Sequence, residues 1–393
     1  MKSYCSAPFV NVRVDADKNG TIFGPCCFYK PGKYYNSIQD YLSSKELKNL
    51  QQHFITQDTL PSGCQACTIN ESNGLVSSRT HFNNKFQHTN NKIQQLEIFP
   101  GNVCNLKCFM CNPDDSSALG AEYKKLGWIK NYQETDNADN VLEVIKAVDT
   151  VEKVIFIGGE FFLTKKNLEI LDLVIEKKLH VELATNATII LPKHLDRLKQ
   201  ISQLKIMISI DGHGDSYEFM RYPASWSTVE NNINLLQKNL PKTLFQIHMV
   251  AQPLNILHLI PAIDRLNRWI MPIYITNLQN PRWLSWPIFN RDELNTVKNI
   301  LKQQLTTHRL TQQQQQQQFG AYQSMLDQIN PDPDLRQDFV RRMQDIINLR
   351  RLSVAQVKSH FAGLDTLLEE IMVSVAGFEP AVSCSQSRQL GPD

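Results

Sequence analysis

Three cysteines lie in one short segment, "GNVCNLKCFMC", which runs from Gly101 to Cys111. Cys104, Cys108 and Cys111 have a C-x3-C-x2-C spacing. Three thiolates this close can bind three irons of a four-iron cluster and leave the fourth iron open to an outside ligand. A structural zinc site would need a further Cys or His, whereas the following "NPDDSS" offers only carboxylates and Asn112. Buried free thiols that pack as small apolar groups are the third interpretation.

Short polar motifs follow three other apolar runs of the chain. These motifs are Gly158, Gly159 and Glu160 after "EKVIFI", Thr185 and Asn186 after "HVELA", and Ser209 and Asp211 at the end of "LKIMISI", with Arg221 farther along. Each has a plainer interpretation, since such residues also form turns and strand-end caps, and an arginine is often a surface residue. Because the carboxyl ends of barrel strands meet at one mouth, we expect these motifs and the cysteine loop to lie together.

The middle of the chain alternates short apolar runs with amphipathic stretches, a pattern typical of parallel strands joined by crossover helices. The predicted strands are "LEIFP", "EKVIFI", "HVELA", "LKIMISI", "FQIHMV" and "PIYIT". The predicted helices between them are "KKNLEILDLVIEKKL", "PKHLDRLKQI", "WSTVENNINLLQKNL" and "ILHLIPAIDRLNRWI". Six such units are fewer than a full barrel needs, so we predict an α/β fold with a partial (β/α)6 TIM-like barrel over residues 91–285.

Residues 1–90 form a cysteine-rich segment of different composition. The alternating run "FVNVRVDAD" before "DKNG" predicts a hairpin, which we expect loops to follow. With little periodic core, such a segment would need a metal or a covalent link to hold it. Its five thiols are those of Cys5, Cys26, Cys27, Cys64 and Cys67. Four of them would complete an all-cysteine iron–sulfur cluster, and the C-x2-C pair suits a zinc knuckle equally well.

The carboxyl-terminal part is predicted to be a helical extension over residues 286–375, formed by "RDELNTVKNILKQQL", "RQDFVRRMQDIINLRRL" and "VAQVKSHFAGLDTLLEEIM". The glutamine tract from Gln312 to Gln318 is predicted to be a surface loop or the frayed end of a helix. Residues 376–393 match no periodic pattern and are predicted to be a disordered, appended tail. Cys384 in this tail is assigned no role.

The overall composition argues against two classes of partner. The chain has 41 Lys and Arg residues against 39 Asp and Glu, with no block of like charge, so no nucleic-acid partner is indicated. It has neither the apolar stretch of a signal peptide near Met1 nor an apolar run of bilayer-spanning length. We therefore expect a cytoplasmic protein without a membrane partner, in which clustered cysteines bind metal rather than form disulfides.

The cysteine loop, with the aromatic Phe109 after Cys108, resembles the motif of the radical S-adenosylmethionine (SAM) superfamily. The "GGE" sequence resembles a family motif whose small residues let backbone groups approach the amino group of the cosubstrate, although Phe161 replaces the usual proline. By the same resemblance, the cosubstrate-binding residues are Phe109, Gly158, Gly159, Glu160, Asn186, Ser209, Asp211 and Arg221.

The cysteine-rich segment resembles the auxiliary-cluster segment of twitch and SPASM-type radical enzymes, which usually follows the barrel instead of preceding it. The resemblance spans residues 4–285. It implies that Cys5, Cys26, Cys64 and Cys67 are cluster ligands, with Cys27 a neighbour or substitute.

These resemblances imply an enzyme with a [4Fe-4S] cluster, SAM and an auxiliary [4Fe-4S] cluster. Such an enzyme would abstract hydrogen from a peptide or small-molecule substrate and take electrons from a donor such as flavodoxin or ferredoxin. Two alternatives remain: a non-enzymatic zinc or iron–sulfur protein that senses redox state, and a cluster-binding relative without turnover.

Overall fold

The computed structural model describes residues 3–17, 20–29, 33–72, 76–86, 92–278, 280–311, 319 and 325–373. The glutamine tract at 312–318 and the tail at 376–393, with Cys384, lie outside the described residues. The chain divides into two compact units. One comprises residues 1–249 and 269–276, and the other comprises 250–268 and 277–393.

Eight strands form one sheet in the described part of the chain, in the order β2-β1-β3-β4-β5-β6-β7-β8. They are β1 Asn11–Asp17, β2 Gly20–Gly24, β3 Gln95–Ile98, β4 Lys153–Phe156, β5 His180–Thr185, β6 Leu204–Ser209, β7 Leu244–Ala251 and β8 Ile273–Asn277. Pairing is parallel from β1 through β3 to β7, and β1 pairs antiparallel with β2. The six predicted strands and the partial-barrel fold class are confirmed, and the predicted hairpin adds β1 and β2 to the same sheet.

The helices are α1 Ala7–Val10, α2 Ile38–Ser43, α3 Lys45–Thr56, α4 Gln65–Ser72, α5 Ser78–Lys85, α6 Ser117–Lys125, α7 Ala138–Ala147, α8 Lys165–Glu176, α9 Pro192–Leu198, α10 Asp215–Met220, α11 Trp226–Asn239, α12 Ile256–Leu266, α13 Arg291–Thr307, α14 Pro333–Arg350, α15 Val354–His360 and α16 Asp365–Met372. The four predicted crossover helices are confirmed as α8, α9, α11 and α12. No helix in the described part of the chain is long and apolar enough to cross a bilayer.

The two faces of the sheet differ in polarity because successive strand residues point to opposite sides. Val154, Leu183 and Ile206 are fully buried on the face that supports the apolar sides of the crossover helices. The opposite face, called here the inner face, carries charged residues. One register row on it joins Arg13, Glu97, Ile155, Glu182 and Lys205 across five strands.

The prediction that loops follow the amino-terminal hairpin is wrong, because residues 38–85 contain the four helices α2 to α5. Leu47, Leu50 and Phe54 form one buried side of α3, and Ser44 caps its first turn by accepting a hydrogen bond from the Leu47 N–H. Leu50 and Phe54 belong to a buried apolar cluster that also contains Phe82. The segment therefore has a core of its own, contrary to our expectation. Helices α2, α4 and α5 are too short to give a clear periodic signal, whereas the apolar spacing of α3 is helical and was not recognised.

The carboxyl-terminal run "VAQVKSHFAGLDTLLEEIM" is interrupted rather than continuous. Helix α15 ends at His360 and α16 begins at Asp365. Gly363 lies between them with φ +91°, a conformation that residues with a side chain rarely adopt. The periodic pattern predicted helix correctly on both sides of this turn and missed the glycine that separates them.

Candidate functional site

The cysteine loop follows β3 and is anchored by hydrogen bonds from its backbone. The Cys104 N–H donates to Ser117 Oγ (3.1 Å), and the Phe109 N–H donates to the Met220 carbonyl (3.1 Å). Phe109 is 1% exposed and stacks on Phe219 with ring centroids 5.3 Å apart. Phe109 thus holds the loop against the segment that follows β6.

The three loop thiols are enclosed to different degrees. Cys108 is 7% exposed, while Cys104 and Cys111 are half-buried. Burial raises the pKa of the Cys104 thiol and raises that of Cys111 well above its usual value, where nearby Asp115 adds to the effect. The protonated thiols are favoured in the absence of metal, so iron binding must release protons.

Two glycines let the loop after β4 approach the cysteine loop. A Cβ atom on Gly159 would lie 2.3 Å from the Val103 carbonyl oxygen, and one on Gly158 would lie 2.6 Å from the Phe99 ring. The close approach is completed by a hydrogen bond from the Glu160 N–H to the Val103 carbonyl (2.7 Å). The contact that these glycines permit in this structure is therefore with the cysteine loop itself.

The Glu160 side chain is buried and joins two strand ends. Its carboxylate accepts hydrogen bonds from the Thr185 hydroxyl (2.7 Å) and from the Asn186 N–H (2.7 Å). Burial raises the pKa of Glu160 to about 7, although both hydrogen bonds act in the opposite direction. Glu160 thus fixes the position of Asn186 relative to the loop after β4.

Asn186 lies beside the first cysteine of the loop. Its Nδ2 is 4.0 Å from Cys104 Sγ and donates to Asn105 Oδ1 (3.1 Å). The Asn105 amide in turn donates to Thr188 Oγ1 (2.9 Å), and the Thr188 N–H donates to Asn186 Oδ1 (2.9 Å). Asn105 and Thr188 were not among the predicted site residues. Their positions in the sequence could have indicated a role, because Asn105 lies inside the C-x3-C motif and Thr188 lies two residues after Asn186.

Asp211 and Arg221 form a buried ion pair, so the interpretation of Arg221 as a surface residue is wrong. Arg221 Nε donates to Asp211 Oδ2 (2.6 Å), and the two residues are 8% and 0% exposed. Burial acts to lower the pKa of Arg221, but Asp211 outweighs it and the pKa is raised. Arg221 Nη1 also lies 3.9 Å from Cys108 Sγ. Ser209 ends β6 on the inner face, paired with His248.

Four of the five amino-terminal cysteines lie close together. Cys5 is part of the buried apolar cluster, and Cys26 and Cys64 pack against that cluster. Burial raises the pKa of Cys5 to about 12, and the neighbouring Cys26, Cys64 and Cys67 add to the shift. Cys27 has Cys26 of this group as an electrostatic neighbour.

Cys27 has charged side chains as neighbours in addition to Cys26. Burial raises its pKa to about 12, and its charged neighbours include Glu97, which acts in the same direction, and Arg13, which opposes it. None of the eight cysteines of the described residues takes part in a disulfide. In that part of the chain, no three His, Cys, Asp or Glu side chains converge closely enough for a single metal ion. Cluster thiolates stand farther apart, because each binds a different iron.

Comparison with known proteins identifies the class of the domain. Residues 98–260 match the family model described as the Radical SAM superfamily. Among curated proteins, the GTP 3',8-cyclase of Synechocystis sp. is 24% identical over 184 residues, which cover 46% of this chain and 53% of that protein. The chain thus spans about half the length of this curated relative. Residues 98–260 form a radical SAM domain, the domain of a superfamily of enzymes.

Solved structures are similar to parts of the chain. The protein anSMEcpe with bound AdoMet is 20% identical, with a TM-score of 0.41, over 53% of this chain and 57% of that one. SuiB of Streptococcus suis, bound to the precursor peptide SuiA, is 13% identical, with a TM-score of 0.40, over 78% of this chain and 70% of that one.

Proposed function

We propose that the chain cleaves SAM reductively at a [4Fe-4S] cluster bound by Cys104, Cys108 and Cys111. The observation that carries the proposal is the position of two hydrogen-bond donors beside the loop thiols within the radical SAM domain. Asn186 Nδ2 lies 4.0 Å from Cys104 Sγ, and Arg221 Nη1 lies 3.9 Å from Cys108 Sγ. Donors aimed at cluster sulfurs stabilise the added negative charge of a reduced cluster.

When bound, the cluster and SAM would supply one-electron cleavage of the S–C5' bond and, with it, the means to remove a hydrogen atom from the substrate. The chain's own residues hold and orient these groups. The three thiols ligate iron, the Asp211–Arg221 pair supports Cys108, and Glu160 positions Asn186 beside Cys104. Phe109, Gly158 and Gly159 keep the loop in place through packing and close backbone approach.

The substrate is proposed to be a peptide or a small molecule, and the electron donor a protein such as flavodoxin or ferredoxin. Both proposals rest on the resemblance to radical SAM enzymes. A cytoplasmic location is proposed because a reducing compartment keeps clustered thiols available for iron. The near balance of 41 basic and 39 acidic residues supports the absence of a nucleic-acid partner.

The test is formation of 5'-deoxyadenosine. The chain is reconstituted anaerobically with iron and sulfide, mixed with SAM and dithionite, and the product is measured by chromatography. We expect product from the wild type and none from a variant with Cys104, Cys108 and Cys111 all replaced by Ala, because that variant cannot hold the cluster. A wild-type protein with full iron content and no product would contradict the proposed activity.

An auxiliary [4Fe-4S] cluster is proposed for Cys5, Cys26, Cys64 and Cys67. Its support is the mutual proximity of these four thiols, each of which electrostatically influences others in the set. The surrounding apolar cluster would exclude water from such a site. Cys27 is not included, because its neighbours are Arg13 and Glu97 as well as Cys26.

Iron and sulfide content tests the auxiliary cluster. We expect about eight irons per chain for the wild type and about four for a Cys64→Ala/Cys67→Ala variant, since each four-iron cluster needs its own thiolates. The matched control is Cys27→Ala, which is expected to keep the wild-type content. Equal losses in Cys27→Ala and in the double variant would overturn this choice of ligands, and wild-type protein with only about four irons would overturn the second cluster.

A further inference from the structure

The inner face of the sheet carries a group of lysines around one carboxylate, called here the lysine cluster: Lys85, Lys153 and Lys205 with Glu182. Lys153 Nζ contacts Glu182 Oε1, and Lys205 Nζ lies 3.9 Å from Glu182 Oε2. Lys85, on α5, donates to the neutral amide oxygen of Gln95. Three cationic side chains thus share one carboxylate in the described part of the chain.

This excess positive charge is partly shielded from water. The side chains of Lys153, Glu182 and Lys205 are 18%, 20% and 30% exposed. Lys85 is an exposed residue, but partial desolvation lowers its pKa to about 8, and the charge of Lys153 adds to the effect. Like charges held together in a partly enclosed site repel one another more strongly than on an open surface. The arrangement therefore favours the approach of an anion.

The other titratable groups around the cluster do not compensate this charge. Burial lowers the pKa of His81 and lowers that of His248 to about 4, so both imidazoles are neutral near pH 7. Farther along the register row, Arg13 is paired with Asp15 (2.8 Å) and with Glu97 (3.6 Å). Those two carboxylates are thus already engaged.

His248 provides a second, independent observation. It lies on β7 opposite Ser209, at the mouth end of the inner face, and is an electrostatic neighbour of Lys205 and Glu182. Its Nε2 is buried, and no hydrogen-bond partner for it exists among the residues that the structure describes. A neutral imidazole can donate one hydrogen bond from this nitrogen. A buried polar atom without a partner at the mouth end of the inner face is available to a second polar group of the same ligand.

We propose that the lysine cluster binds an anionic group of the substrate, a carboxylate or a phosphate. This proposal rests on the proposed function, because it assigns the inner face of the radical SAM domain to the substrate. Lys205 is the second residue of β6, and Ser209 ends that strand at the mouth. Four strand residues span about 13 Å, so the anionic group lies that far from the mouth and the substrate is elongated.

The test is calorimetric titration of the anaerobically reconstituted full chain with inorganic phosphate and, separately, with acetate. We expect binding of at least one anion, weakened about 10-fold by Lys205→Met, which removes a cation from the site. Glu182→Gln removes the competing carboxylate and is expected to tighten binding about 5-fold. Tighter binding cannot result from misfolding, so this variant keeps the test decisive. Lys199→Met, which changes an exposed lysine after α9, is the matched control and is expected to bind like the wild type.

The results separate this proposal from the proposed function. Preference for phosphate would assign a phosphate group to the substrate, and preference for acetate a carboxylate. No binding of either anion up to about 50 mM, or wild-type affinity in both Lys205→Met and Glu182→Gln, would overturn the anion site. The titration does not depend on SAM cleavage. A wild-type chain that binds phosphate but forms no 5'-deoxyadenosine would contradict only the proposed function.

Discussion

An Asp211→Asn variant is expected to lose about 3–5 kcal/mol of unfolding free energy, because it leaves the buried Arg221 guanidinium without its counter-charge. Asp211 is fully buried and Arg221 is 8% exposed, so water cannot replace the lost partner without opening the structure. The substitution keeps the side-chain volume and changes mainly the charge. Urea denaturation of the protein without added iron measures the effect on the fold alone.

The matched control is the exposed ion pair between Asp172 and Arg197. Their side chains are 51% and 29% exposed, and Arg197 Nε lies 2.7 Å from Asp172 Oδ1. An Asp172→Asn variant is expected to lose no more than about 1 kcal/mol, because solvent screens the pair. Equal and small losses in Asp172→Asn and Asp211→Asn would show that the Asp211–Arg221 pair is not buried as the structure places it.

A double variant, Asp211→Asn with Arg221→Met, distinguishes the pair from its two members. Removing both charges avoids an uncompensated buried ion. The double variant should therefore be more stable than the summed losses of the single variants Asp211→Asn and Arg221→Met predict. Arg221 also lies 3.9 Å from Cys108 Sγ. We therefore expect the double variant to bind iron less well than the wild type, even where its stability recovers.

Gly159→Ala is expected to destabilise the protein by about 1–3 kcal/mol and to reduce iron incorporation at the three-cysteine site. The new Cβ would lie 2.3 Å from the Val103 carbonyl oxygen and 2.8 Å from the Asn102 carbonyl carbon. Both neighbours are backbone atoms, which cannot move aside as a flexible side chain would. The cysteine loop must therefore shift. Iron content after reconstitution, measured in a background that lacks Cys64 and Cys67, reports this shift directly.

Gly127→Ala is the matched control for adding a methyl group at a glycine. Gly127 has φ +73°, and no atom lies within 4 Å of the position of its Cβ. We expect a loss of about 1 kcal/mol from backbone strain, with unchanged iron content. If Gly159→Ala loaded as much iron as Gly127→Ala, the close contact between the loop after β4 and the cysteine loop would be wrong.

Both predictions concern the same structural requirement. The cysteine loop carries the ligands, but its position depends on segments that follow β4, β5 and β6. Glu160 donates its backbone N–H to Val103, and its carboxylate accepts the Asn186 N–H. A substitution at any of these contacts is expected to affect iron binding without changing a ligand.

Periodicity predicted most of the elements of the barrel. The strands from β3 to β8 and the four crossover helices were all predictable, because apolar residues recur with period 2 or 3.6 over lengths that are typical of each element. The same logic placed the cysteine loop, Glu160, Asn186 and Asp211 at one mouth, since parallel strands present their carboxyl ends together. Helices α2, α4 and α5 were missed because short helices with few buried positions resemble loops in a sequence, whereas α3, which is as long as α8, has a helical apolar spacing that was not recognised.

Residue types and their spacing along the chain were sufficient to predict the partial barrel and to single out Cys104, Cys108 and Cys111. Only the tertiary structure revealed the Asp211–Arg221 ion pair, the position of Cys27 near Arg13 and Glu97, and the lysine cluster on the inner face. The physical reason is that these contacts join residues from different strands and loops. Their distances depend on strand register and backbone approach, which no local pattern encodes.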